Sequence, residues 1–118
     1  MSPLRVLVAD DDEDVLDVAR FALSGQFEML LASTGEEAFA TAIAESPDVL
    51  VLDYNLPGID GAEVVRALRR LHRNIPAILV SGARELGGVA ASLGIPYLAK
   101  PCSMHELAMM IRDQSRVP

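Results

Sequence analysis

Four short apolar runs, RVLVAD at 5–10, MLLA at 29–32, VLVLD at 49–53 and AILVS at 77–81, constrain this chain more than any other feature, and a weaker fifth, YLAK, follows at 97–100. None alternates apolar with polar residues. Continuous apolar runs of strand length suit strands covered on both faces, hence a parallel sheet with helices on either side. The intervening segments have helical length and period: Val15, Ala19, Ala22 and Leu23; Val64, Ala67, Leu68 and Leu71; Leu107, Met110 and Ile111. Gly25, Pro47, Pro76 and Gly94 with Pro96 fall where each helix should yield to the next strand.

The pattern predicts β1 over 4–9, α1 over 14–24, β2 over 28–32, α2 over 35–45, β3 over 48–53, α3 over 61–71, β4 over 77–81, α4 over 85–93, β5 over 97–99 and α5 over 103–115. That is an α/β chain, (βα)5, expected to form one doubly wound five-stranded parallel sheet. At 118 residues, 51% of them hydrophobic, the chain is long enough for one core and too short for two, so residues 1–118 are expected to form a single domain. Aromatic residues are only 4%, so Val, Leu, Ile, Ala and Met must fill that core.

Several function classes fall away. No apolar run approaches the roughly 18 residues of a membrane span, and acids interrupt the first run before a secretory cleavage site could form. Cys102 is the single cysteine, which excludes an intrachain disulfide and a multi-thiolate metal site. A net charge of −7 disfavours direct contact with a nucleic-acid backbone and favours a cation or a basic partner. The expectation is a soluble, cytoplasmic protein.

In an open parallel sheet, ligands bind beyond the carboxyl ends of the strands, where the winding reverses. β1 runs into Asp10, Asp11, Asp12, Glu13 and Asp14. Five successive acids repel one another, and a hard divalent cation relieves them, since Mg2+ prefers oxygen ligands. Asp12, Glu13 and Asp14 are better read as the start of α1, whose dipole favours acids, and Asp10 and Asp11 as functional. β3 ends in Asp53, a carboxylate able to accept a metal or act as a nucleophile. β4 ends in Ser81 before Gly82 and Ala83, which leave room for a tetrahedral anion. β5 leads to Lys100 before Pro101, where a cis peptide would set the turn. The chain holds nine arginines and this one lysine, so a slender ammonium is available only here.

Asp10-Asp11 after β1, Asp53 followed by Tyr-Asn-Leu-Pro-Gly-Ile-Asp-Gly, Ser81-Gly82 after β4 and Lys100-Pro101 after β5 together resemble the response-regulator receiver domain of two-component signalling. The resemblance spans essentially the whole chain and implies the flavodoxin-like, CheY-like strand order 2-1-3-4-5. It implies that Asp53 accepts a phosphoryl group from a phosphohistidine on a sensor histidine kinase or a histidine phosphotransfer protein. Asp11, Asp53 and the backbone carbonyl of Asn55 match the Mg2+ ligands, and Asp10 matches the acid that reaches the ion through water. Lys100 matches the partner of the phosphoryl oxygens, Ser81 the switch hydroxyl and Tyr97 the aromatic that turns inward with it. Asn55 and Ala83 would flank the path of the hydrolytic water and set the phosphoryl lifetime.

The expected role is a stand-alone receiver that controls a downstream protein effector through its α4-β5-α5 face, as a monomer or a phosphorylation-dependent homodimer. A receiver module of a hybrid histidine kinase is the alternative. A Mg2+-dependent phosphohydrolase using Asp53 would need a second acid where Asn55 stands, and a receiver that only binds proteins would not need the full acid, hydroxyl and lysine set. The interval from Ser81 to Lys100 is short for the family and contains Gly87-Gly88, poor helix material, so α4 is expected to be short, displaced or mobile. Cys102 stands where receivers often carry a bulky apolar residue and reads as a small buried hydrophobe. His72 and His105 read as surface residues, the Arg66, Arg69, Arg70 and Arg73 stretch as a solvated face, and Met109 and Met110 as core or docking residues.

Overall fold

The computed structural model describes residues 3–82 and 86–116, with only the backbone of Leu86. The elements are β1 (Arg5–Ala9), α1 (Glu13–Leu23), β2 (Glu28–Ala32), α2 (Gly35–Glu45), β3 (Val49–Asp53), α3 (Gly61–Arg70), β4 (Ala77–Ser81), α4 (Leu86–Leu93), β5 (Tyr97–Ala99) and α5 (Met104–Ser115). All strand pairs are parallel, in the order β2-β1-β3-β4-β5. The winding therefore reverses between β1 and β3, and Asp10 and Asp53 flank that point.

Because side chains alternate along a strand, each strand feeds two cores. Val6 and Val8, Val49 and Val51, and Ile78 and Val80 face α1 and α5, meeting Leu16, Ala19, Leu23, Leu107 and Ile111. Leu7 and Ala9, Leu50 and Leu52, and Ala77 and Leu79 face the opposite way, toward Ala38 and Ala42 of α2, Val64, Val65 and Leu68 of α3, and Ala90 and Leu93 of α4. β3 and β4 are buried at every position, which explains the unbroken apolar run ahead of Asp53 and Ser81.

Helix starts follow local chemistry. Thr34, Asp60 and Ser103 each accept the N–H of the residue three further on, Glu37, Glu63 and Glu106, in a cap-x-x-Glu spacing. Asp12 caps α1 through the N–H of Asp14. Helix α2 ends on Ser46, which takes a left-handed conformation at φ 47°. Helix α4 forms through Gly87-Gly88, and its described span is Leu86–Leu93. His72 and His105 are exposed. Met109 is exposed, whereas Met110 packs on the core. Cys102 is half-buried rather than buried, because it lines an open cleft described below.

Candidate functional site

Register and reach, more than proximity in sequence, bring the polar strand ends together. Ala9 pairs with Leu52, so Asp10 and Asp53 emerge side by side at the next row. Asp53 pairs with Val80, which sets Ser81 one row higher, and Ser81 pairs with Ala99, which sets Lys100 higher again. Lys100 must reach back down two rows, and a long unbranched stem does this. Its Nζ donates to Asp10 Oδ2 at 2.7 Å and to Asp53 Oδ2 at 3.1 Å. The Lys100-Pro101 peptide is cis.

The two buried carboxylates are held alike. Asp10 Oδ1 accepts the N–H of Asp12 at 2.9 Å, and Asp53 Oδ1 accepts the N–H of Asn55 at 3.1 Å. Each acid thus spends one oxygen on a backbone N–H two residues on and the other on Lys100. Burial lowers the Lys100 pKa, but donation to Asp10 and Asp53 outweighs it, and the ammonium ends above its ordinary value. Asp11 is exposed, yet one of its oxygens lies within 4.8 Å of oxygens from Asp10 and Asp53. Three carboxylates against one ammonium leave an excess of negative charge, and the all-oxygen donor set fits a hard divalent cation such as Mg2+.

Ser81 is 1% exposed, and its Oγ accepts from Asn55 Nδ2 at 3.4 Å. A Cβ on Gly82 would meet nothing within 4 Å among the described residues. Tyr97 stands apart from the cluster, half-exposed, with its ring beside Gly87 of α4. Ala83 lies outside the described residues.

Two features escaped the sequence reading. A Cβ on Gly61 would stand 2.6 Å from the carbonyl oxygen of Asp53, so the first residue of α3 packs directly on the backbone of Asp53. A cleft of about 550 Å³ opens between α1 and α5 beside Asp10, Asp53 and Lys100, walled by Val15, Val18, Cys102, Met104 and Leu107. The small side chain at Cys102 was its only sequence signal. Burial first, then Glu106, push that thiol's pKa up against the opposing pull of Lys100.

A doubly wound parallel sheet with an acidic pocket and a cross-strand lysine at its switch point sets the class of α/β protein, and comparison with known proteins narrows it. Residues 6–112 match the family model of the response regulator receiver domain, and the chain belongs to that family. The transcriptional regulatory protein PrrA of Mycobacterium tuberculosis is 39% identical over 113 residues, covering 92% of this chain and 48% of PrrA. The chain spans about half the length of the curated relatives it matches. Among solved structures, the Francisella response regulator 1452 receiver domain superposes with a TM-score of 0.89 at 28% identity, over 96% of this chain and 97% of that one. A CheY-like receiver domain protein from Methanospirillum hungatei gives 0.87 at 26% identity, over 97% and 94%. The chain is thus a two-component receiver domain, and among the described residues no helix is long and apolar enough to cross a membrane.

Proposed function

We propose that Asp53 is the phosphoacceptor of this receiver, that Asp10, Asp11, Asp53 and the Asn55 carbonyl hold Mg2+, and that Lys100, Ser81 and Tyr97 carry the response. The observation that supports this most is the Lys100 ammonium lying across two buried carboxylates at 2.7 and 3.1 Å. An Asp53 oxygen attacks phosphorus while the bond from phosphorus to the donor's imidazole nitrogen breaks, and the imidazole leaves with its electron pair. The attacking group is already an anion, so no general base is needed. Lys100 stays protonated and moves from the carboxylates to the incoming phosphoryl oxygens, where charge is greatest. Mg2+, when bound, supplies charge neutralisation at the same oxygens.

Ser81 exchanges its Asn55 contact for a hydrogen bond to the phosphoryl group, and Tyr97 leaves its half-exposed position beside α4 as that hydroxyl moves. Such a switch is a shift between two packings of the α4-β5-α5 face. The partners are a phosphohistidine donor and a protein effector, in the cytoplasm. Relatives of this chain are named transcriptional regulatory proteins, but they are about twice as long, and this acidic chain corresponds to one half.

The test is intact mass after incubation with Mg2+ and acetyl phosphate, for wild type and Asp53→Asn. One phosphoryl group gained by the wild type only, and only with Mg2+, is the expected result. Equal gain in both proteins, or none in either, would sink the assignment.

A further inference from the structure

The loop 54–60 that joins Asp53 to α3 leans on the first turn of α2. Gly35 N–H donates to the Pro57 carbonyl at 3.2 Å. A Cβ on Gly35 would stand 1.9 Å from the Ile59 carbonyl oxygen, so helix and loop backbones touch at a point only glycine permits. Glu36 Oε1 accepts the Ile59 N–H at 3.1 Å. Its Oε2 covers Gly58, where a Cβ would lie 2.1 Å away and φ is +79°. Between Leu56 and Ile59, the hydrogen bonds that tie the described loop to the rest of the molecule both go to Gly35 and Glu36.

The neighbouring acid does something else. Glu37 lies at the capping position, its N–H on Thr34 and its carboxylate near the Ser33 hydroxyl. Two successive glutamates in one helical turn therefore have separate partners, and only Glu36 reaches toward the pocket's loop.

We infer that Glu36 is a positioning residue for the acidic pocket: by holding the Ile59 N–H it fixes the loop that carries Asn55, whose carbonyl would be a ligand of the cation. This inference rests on the phosphoacceptor reading above. Ordering the loop before the cation arrives removes an entropic cost from binding, and an ionised acceptor strengthens the hold on a backbone N–H.

The test is a Mg2+ titration followed by the Asp53 and Asn55 amide signals in wild type, Glu36→Ala and Glu36→Gln, with hydrogen exchange at Ile59 and thermal denaturation alongside. Glu36→Ala should speed exchange at Ile59 and weaken Mg2+ binding by about fivefold, the size of one net hydrogen bond at an exposed position. Glu36→Gln keeps an acceptor and should stay within about twofold of wild type on that same scale. Mg2+ affinity unchanged in Glu36→Ala would overturn the inference, as would Gln failing as badly as Ala, since the effect would then be bulk charge. A wild type that binds Mg2+ but gains no phosphoryl mass would sink the phosphoacceptor reading alone, because loss of Mg2+ affinity in Glu36→Ala would still support the brace. A wild type that binds no Mg2+ overturns both.

Discussion

Replacing Lys100 by Met keeps the aliphatic stem and removes only the charge that bridges Asp10 and Asp53. Two charge-assisted hydrogen bonds are lost, at 2.7 and 3.1 Å. Each contributes about 1.5–3 kcal/mol when well buried. The Lys100 side chain is 32% exposed, which favours the lower end. Released lysine rotamer entropy and relief from desolvation offset part of the loss, about 1–2 kcal/mol together. The carboxylates keep their backbone N–H partners but lose their counter-charge, so the net destabilisation without metal should be about 2 kcal/mol. With an unfolding entropy of roughly 2.1 cal/mol/K per residue, that is a fall of about 8 °C in Tm. Divalent cations should act in the opposite direction. Removing one positive charge from the pocket should tighten Mg2+ binding about tenfold, so saturating Mg2+ recovers about 1.4 kcal/mol of the loss. The assay is thermal denaturation by circular dichroism with and without MgCl2, and calorimetric titration of Mg2+. A Tm drop below about 3 °C in metal-free buffer, or Mg2+ binding that weakens, would refute the counter-charge argument.

Other outcomes follow from the same geometry. Gly61→Ala places a Cβ 2.6 Å from the Asp53 carbonyl oxygen, a backbone atom that cannot swing aside; the variant should lose about 2 kcal/mol in urea denaturation and label Asp53 more slowly with acetyl phosphate. His72 is exposed at φ 59°, so His72→Gly should raise the urea midpoint by about 0.5 kcal/mol of stability with an unchanged m-value. In alkali, the native state holds the protons on Lys100 and Cys102 more tightly than the unfolded chain does, because both pKa values are raised from ordinary values of 10.5 and 9.0. Stability should therefore be whole at pH 8 and fall as pH rises through and beyond those values, and Lys100→Met should fall less steeply across pH 10–11.5.

The elements were legible because burial on both faces leaves an unbroken apolar run, and each observed boundary lies within one residue of the sequence reading. Asp10, Asp53 and Lys100 were legible for a different reason: charged residues that close the apolar runs of the sheet sit at the carboxyl ends of its strands, where an open parallel sheet binds ligands. What the sequence could not carry is register and side-chain reach. Nothing local says that Lys100 emerges two rows above Asp53 and returns to it, or that Glu36 and Glu37 diverge to different partners. Gly61 reads as one glycine in a turn until the α3 backbone is seen resting on Asp53. The cleft between α1 and α5 is a sum over side-chain volumes from several elements, to which Cys102 contributes one small term.

The charge arrangement suits a pocket that is stable without a metal and still attracts a cation. Two buried carboxylates without a counter-ion would strain the fold, and two ammonium groups against the three carboxylates would leave a single negative charge, too little to hold a divalent cation well. One lysine, shared between Asp10 and Asp53, satisfies one oxygen of each and leaves Asp11 facing solvent. The metal-free fold is then stable, yet the pocket keeps enough negative charge to draw a cation. Lys100 is also the group best placed to change partners, since it is held by two salt bridges rather than packed into the core and is itself partly exposed. A phosphoryl group on Asp53 would offer it oxygens of higher charge at nearly the same position. Were Asp53 to carry a phosphoryl group, giving up the resting salt bridges would cost energy that the new Lys100 contacts offset, so the exchange would need only rearranged hydrogen bonds at the strand ends while the two cores below stay packed.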